Sequence, residues 1–508
     1  MFAKIKSVAL NGIETIGIEA EVNVSAKGLP CFDIVGLPDK SVDESKHRVK
    51  TAIVNSGLEF PNKKITLNLA PADIHKEGSF YDLPIAVGII CVNYDISVPE
   101  NSLFFGEISL DGSLRHTKGA LLLALYAKEQ DVKNIFIPIS CVNEAAAVHG
   151  INIFGVENLR ELFLHLRGEM LMSPIDVSTI KKKSSVDFED TSIGFGEISG
   201  QHQAKRALEI SAAGGHNIIM TGPPGAGKTL LARALLSVLP PLSEDESLEV
   251  TKIYTSVGKI PPNGSLISQR PFRSPHHTIS YAGMIGGGTN PTPGEISLAH
   301  RGVLFMDEFN EFPRIVLESM RQPLEDGVVT ISRSKGSLTF PSRFTLVASN
   351  NPCPCGYSGH PNVKCNCTSR QIDLYKKKLS GPIMDRIDLH VNVLPVETSE
   401  LKNKSQSSSQ YLRERIQKAR EVQVRRYAEE GIFSNTEMSN IHVRRYAELS
   451  FEVESLLNLS AEKFNLSARS YFKIIKVSRT IADLEGVENI EVKHMAEALQ
   501  YRCKNTES

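Results

Sequence analysis

The sequence predicts an α/β protein centred on a parallel sheet that carries a phosphate-binding loop, with another α/β region before it and a helical region after it. Strand-like and helical runs alternate through residues 1–167, a glycine-rich turn at 222–229 lies between an apolar strand and a helix, and the carboxyl-terminal region repeats its apolar residues at helical spacing.

The 508 residues are too many for one ordinary domain and suit about two to four. Apolar residues at 41% and charged residues at 23% give the balance of a folded globular chain rather than a disordered or fibrous one. The net charge of −1 offers no general positive field, so any nucleic acid must be met by local basic patches. The apolar stretch Leu83 to Val92 has about half the length that spanning a bilayer takes, so no membrane partner is expected. Met1 to Leu10 lacks the long apolar segment and cleavage site of a secretion signal, which predicts a cytoplasmic protein. Eight cysteines in so long a chain do not make a disulfide scaffold, and four of them cluster.

In chain order, Lys64 to Leu69 reads as a strand and Gly119 to Lys128 as an apolar helix within a domain at 1–167. Residues 168–192 lose the apolar periodicity and include Lys181 to Ser185, the pattern of an exposed linker. A nucleotide domain at 193–395 follows, and the Ser/Gln-rich Lys404 to Gln410 sets off a helical domain at 396–508. No short-period internal repeat is visible.

Gly222, Pro223, Pro224, Gly225, Ala226, Gly227, Lys228 and Thr229 fit the P-loop pattern, after the apolar Asn217 to Met220 and before the helix-compatible Leu230 to Leu236. Glycines let backbone N–H groups turn toward phosphates, the helix start favours negative charge, Lys228 reaches the β and γ phosphates, and the Thr229 hydroxyl suits magnesium. ATP and magnesium are thus the expected cofactors. A second buried strand, Gly302 to Met306, delivers Asp307 to orient the magnesium shell and Glu308 to polarise the attacking water.

Cys353, Cys355, Cys365 and Cys367 place four thiols within fifteen residues, which suits tetrahedral zinc. One residue inside each pair is closer than the usual two to four, so redox-active or free thiols are the alternative. Gly327 to Phe340 reads as a hairpin whose tip carries Arg333 and Lys335, suited to sequence-independent phosphate contacts with DNA or to a solvated basic turn. His276 and His277 read as structural histidines, since no acidic ligand cluster accompanies them.

Together with the P-loop and Asp307-Glu308, the segments Gly200 to Leu208, Arg270 to His277, Pro293 to His300, Asn351 to Gly356, Ser380 to Asp388 and Leu466 to Arg469 resemble the magnesium-chelatase-like AAA+ ATPases over nearly the whole chain. The resemblance implies an AAA+ fold with a helical lid. It makes Asn351 the polar sensor, with Asn350 as the alternative, and Arg386 an arginine finger directed at the next subunit, against a structural ion pair with Asp385 or Asp388. Arg469 becomes the second sensor, with Arg479 nearby on the same helix. A site divided between subunits implies a homo-oligomeric ring, by likeness a hexamer.

Residues 1–167 resemble the ribosomal-S5-like domain shared with Lon-type proteases, in Asp73 to Pro84 and Phe105 to Gly112. Ser79 and Lys118 would be the catalytic pair, but Asp82 stands where the nucleophile of that family aligns, so a non-proteolytic domain is expected. The likeness further implies a pore hairpin at Arg333 and Lys335, and a DNA motor acting on single-stranded or branched DNA. Branch migration during homologous recombination in natural transformation, alongside recombination proteins, is the leading function. A chelatase-like remodelling ATPase for a protein or metal-inserting partner comes second, and an ATP-dependent protease third.

Overall fold

A computed structural model describes residues 1–177, 194–260, 266–288, 291–333, 336–396 and 409–502, in two compact units. The first unit takes the described residues of Met1–Asp187 and of Glu244–Gln269; the second takes those of Phe188–Ser243 and Arg270–Ser508.

The first unit opens on a hairpin, Phe2–Asn11 antiparallel to Glu14–Ser25, turning where Gly12 adopts a φ of 65°. Period-two alternation buries Ala3, Ile5, Ala20, Val22 and Val24, while on the other face Lys4 meets Glu19 and Glu21 at 3.0 and 3.1 Å. Lys64–Ala70 and Cys31–Val35 complete this four-stranded sheet, the last two strands running parallel. The helix Asp82–Tyr94 packs on the first two strands, so closely that a Cβ at Gly88 would lie 2.5 Å from Val22 Cγ2. Every residue from Asp82 to Val92 is buried, so the apolar run is a core helix. Its one charge, Asp82, is buried but forked by Arg48, with Nε at 2.9 Å and Nη2 at 3.0 Å. No helix among the described residues is long and apolar enough to cross a membrane.

A three-stranded parallel sheet, ordered Ser102–Phe104, Asn134–Pro138, Asn152–Val156, follows in this unit together with the helix Ala120–Glu129. Two features depart from the sequence reading. Ile175 N donates to Ile153 O at 2.8 Å, so the chain stays attached to the first unit past residue 168, while 178–193, with Lys181 to Ser185, lies outside the described residues. More consequentially, the helix Glu244–Ser256, expected inside the nucleotide domain, belongs to the first unit. Leu248 packs on that unit's core, and the Thr255 hydroxyl donates to Glu144 at 3.3 Å, where the Leu121 N–H also donates. Burial pushes the Glu144 carboxyl up, so both donors offset the desolvation of this group.

The second unit is built on a fully parallel five-stranded sheet in the order Phe272–Arg273, Val303–Met306, Thr345–Asn350, Ile218–Thr221, Leu389–Asn392. The strand before the P-loop is thus flanked on both sides, which explains its apolar Ile218, Ile219 and Met220. The helices Ser409–Arg426, Phe451–Phe464, Ala468–Glu485 and Val492–Gln500 follow, and Ser409 and Gln410, read as linker, open the first of them. Lys404 to Ser408 lie outside the described residues. Sheet and helices share one core, in which Ile218, Val347 and Leu389 join Ile416, Ile481 and Leu499.

Candidate nucleotide site

The P-loop strand ends at Thr221, and a Cβ on the next residue, Gly222, would lie 2.1 Å from Val393 O, so only glycine fits. Gly225 and Gly227 have open space around them and are needed instead for left-handed backbone, at φ of 77° and 88°, which turns the loop into the helix Lys228–Ala234. The loop is held from outside by Gln201, whose amide donates to Ala226 O at 3.2 Å, a tie with no local pattern to announce it. Lys228 is buried, donating to Gly222 O at 2.7 Å, Pro223 O at 3.0 Å and Asn351 Oδ1 at 3.2 Å. Burial pushes its pKa down against the pull of Asp307 and Glu308.

The buried strand Val303–Met306 brings Asp307 to the P-loop. Its Oδ2 accepts the Thr229 hydroxyl at 2.9 Å, and its Oδ1 accepts the Ser349 hydroxyl and the Glu308 N–H. A hydroxyl and a carboxylate converging on exposed space at the end of a P-loop form a donor set that fits magnesium. Glu308 sits in left-handed backbone, φ 52°, and points its carboxylate at His277, with Nδ1 3.5 Å from Oε2. The His277 ring, which packs beside His276 at 4.1 Å, thus reaches the carboxylate of the site. The segments at 270–277 and 293–300 meet through Arg273, which forks Glu295 at 2.6 and 2.7 Å.

Of the two asparagines, Asn351 faces Lys228, whereas Asn350 accepts the Tyr375 hydroxyl at 3.4 Å. Arg386 pairs with neither Asp385 nor Asp388: Asp388 lies 3.2 Å from Lys473 and 3.3 Å from His216, and the Arg386 guanidinium goes to Glu325. Arg469 also binds Glu325, so that glutamate joins both sequence-predicted arginines. Arg479 is buried on Asp483 at 3.0 Å and on the Val487 and Glu488 carbonyls, and so is occupied within the lid.

The four clustered thiols lie within 4.8 Å of one another, with sulfur separations of 3.4 Å for Cys353–Cys355, 3.5 Å for Cys355–Cys365 and 3.7 Å for Cys353–Cys365. These are far longer than a disulfide and close to the roughly 3.8 Å edge of a tetrahedron with zinc–sulfur bonds of about 2.3 Å. The Tyr357 and Asn366 N–H groups draw the Cys355 thiol down to about 6. Gly356, at φ 84°, lies on the P-loop: a Cβ there would come 2.6 Å from Pro224 Cδ.

Val328–Arg333 and Gly336–Pro341 form the expected antiparallel hairpin. Val329, Ile331, Leu338 and Phe340 are buried on one face, and the other exposes paired hydroxyls, Thr330 with Thr339 at 3.3 Å and Ser332 with Ser337 at 3.1 Å. The Arg333 side chain and Lys335 lie outside the described residues. In the first unit the Ser79 hydroxyl donates to Glu107, and Lys118 packs its side chain beside Gly258, so no Ser79–Lys118 pair forms.

Family models for magnesium chelatase, subunit ChlI, match residues 194–401, with a ChlI match at 20–140 and the ChlI carboxyl-terminal model at 406–502. The chain is similar to Competence protein ComM of Haemophilus influenzae, 40% identical over 99% of this chain and 97% of that protein. Uncharacterized protein YifB of Escherichia coli is 38% identical over 97% and 95% of the two chains. A shorter likeness reaches the Magnesium-chelatase 38 kDa subunit of Rhodobacter capsulatus, 28% identical over 31% of this chain and 50% of the subunit.

Proposed function

Since the chain belongs to the magnesium-chelatase-like ComM/YifB family of AAA+ ATPases, we propose that it is an ATP-driven, ring-forming motor that acts on DNA and promotes branch migration during recombination of incoming DNA. The observation that carries the motor is the meeting of Lys228, Thr229, Asp307 and Asn351 at one loop. In this reading Thr229 and Asp307 hold magnesium, which supplies positive charge to the phosphate chain. Lys228 releases its loop carbonyls to bind β and γ oxygens, Glu308 takes up the orientation that aligns a water, and Asn351 fixes that water. Arg386 and Arg469 supply guanidinium charge to a phosphate chain held by a neighbouring copy, and a hexameric ring is the assembly that this reading expects.

DNA is favoured as the substrate by the hairpin, which exposes four hydroxyls on one face and carries Arg333 and Lys335 at its tip in the sequence. Hydroxyl and basic groups along a strand pair suit a sugar–phosphate backbone without reading bases. The relative named for competence supports the same biological setting. The remodelling alternative, drawn from the likeness to a magnesium-chelatase subunit, requires no DNA response. Forked and four-way DNA should stimulate hydrolysis at low salt and be unwound, with Lys335→Ala losing the coupling while retaining ATP binding. Hydrolysis indifferent to every DNA structure would move the protein to the remodelling class, and equal unwinding by Lys335→Ala would remove the hairpin assignment.

A further inference from the structure

Glu325 is the meeting point of two arginines that arrive from separate parts of the second unit. Arg386 follows the short helix Gly381–Met384, and Arg469 stands in the first turn of the helix Ala468–Glu485. Each gives Nη2 to a different oxygen of the same carboxylate, Arg386 to Oε2 and Arg469 to Oε1. Two guanidinium groups so close repel one another unless an anion lies between them, and Glu325 supplies that anion. Arg386 is held further by Nη1 donating to Pro382 O at 2.6 Å, and its side chain is only 13% exposed. Its buried Nε finds no acceptor among the described residues.

The placement of the glutamate matters as much as its charge. Glu325 lies on the helix Arg321–Asp326, which ends at Gly327 in left-handed backbone, φ 69°. The next residue, Val328, begins the hairpin. The carboxylate therefore lies within three residues of the hairpin base along the chain. That carboxylate is half-exposed, as is Arg469, so the pair opens to solvent on one side.

Resting on the reading of the chain as an ATP-driven motor, we propose that Glu325 is a positioning residue for hydrolysis. It keeps Arg386 and Arg469 side by side, presents them together to the phosphates bound by a second copy of the chain, and passes displacement of the hairpin to them. Arg386 and Arg469 touch the phosphates; Glu325 acts through them.

The test uses the full chain and its Glu325→Gln, Glu325→Asp, Arg386→Ala and Glu325→Gln/Arg386→Ala variants, each checked for the wild-type thermal transition. ATP turnover is measured with and without forked DNA, and binding of a fluorescent nonhydrolysable ATP analogue is measured separately. Glu325→Gln should lower kcat by about tenfold or more and abolish DNA stimulation, with analogue affinity within about twofold of wild type. Glu325→Asp should recover part of the rate, and the double variant should be no slower than Arg386→Ala alone. Wild-type kcat and DNA response in Glu325→Gln, or losses that multiply in the double variant, overturn the proposal. Failure of the motor reading itself looks different: the wild-type chain would then show no hydrolysis that Lys228→Ala removes.

Discussion

His277 reaches Glu308 from the segment that Arg273 anchors to Glu295, and the contact is between side chains one-third and one-half exposed. Such a pair is too solvated to stabilise the fold much, so its value lies in where it holds the carboxylate. If Glu308 aligns the attacking water, removing the ring leaves nucleotide binding alone and slows turnover. His277→Ala should lower kcat by roughly tenfold, less than the loss expected for Glu308→Gln, with affinity for an ATP analogue unchanged. Steady-state hydrolysis alongside analogue titration measures both; a His277→Ala enzyme with wild-type kcat would return the histidine to a structural role. The P-loop and Asp307-Glu308 could be read from sequence because their chemistry is set by neighbours along the chain. Gln201, His277 and Glu325 could not, since each acts on a partner more than 20 residues away and carries no local pattern.

At the scale of elements, the loop carrying the four cysteines is short of apolar residues and rests Gly356 against Pro224 of the P-loop. Four thiols within 4.8 Å of one another suit a shared metal ion, which would offset the repulsion of ionised sulfurs and guard them against oxidation. We expect about one equivalent of zinc in freshly purified protein. Cys365→Ser should reduce zinc content and weaken ATP-analogue binding several-fold through the Gly356–Pro224 contact, while the first unit keeps its own thermal transition. Metal analysis, analogue binding and calorimetry read these outcomes; less than a tenth of an equivalent of zinc, with folding unchanged in chelator, would sink the site. The hairpin was legible for the opposite reason to the cysteine loop. Its strands alternate buried Val329, Ile331, Leu338 and Phe340 with exposed Thr330, Ser332, Ser337 and Thr339, a period-two signal written into consecutive residues.

For the whole molecule, the assignment of Glu244–Gln269 to the first unit changes where the chain can be divided. The segment departs just after the helix that follows the P-loop and returns just before the strand Phe272–Arg273, so the nucleotide sheet is interrupted by a piece of another core. Its helix has an apolar face, with Val250, Ile253 and Tyr254 buried, but a periodic face in a sequence says only that something covers it, not which surface does. Cutting at the linker expected from sequence therefore leaves that face without its cover. Each buried Val or Ile so exposed forfeits roughly 1.5–3 kcal/mol, and the uncovered patch is of the kind that drives association. A chain of residues 194–508 should bind a hydrophobic dye and elute as aggregates. The same chain with residues 244–269 replaced by a short Gly/Ser connection should elute as discrete species and remain dye-silent, because the sheet and the helical region share their own core without that segment. Size-exclusion chromatography with dye fluorescence compares the two directly, and a well-behaved, dye-silent 194–508 fragment would mean that the helix Glu244–Ser256 does not need the first unit to be covered.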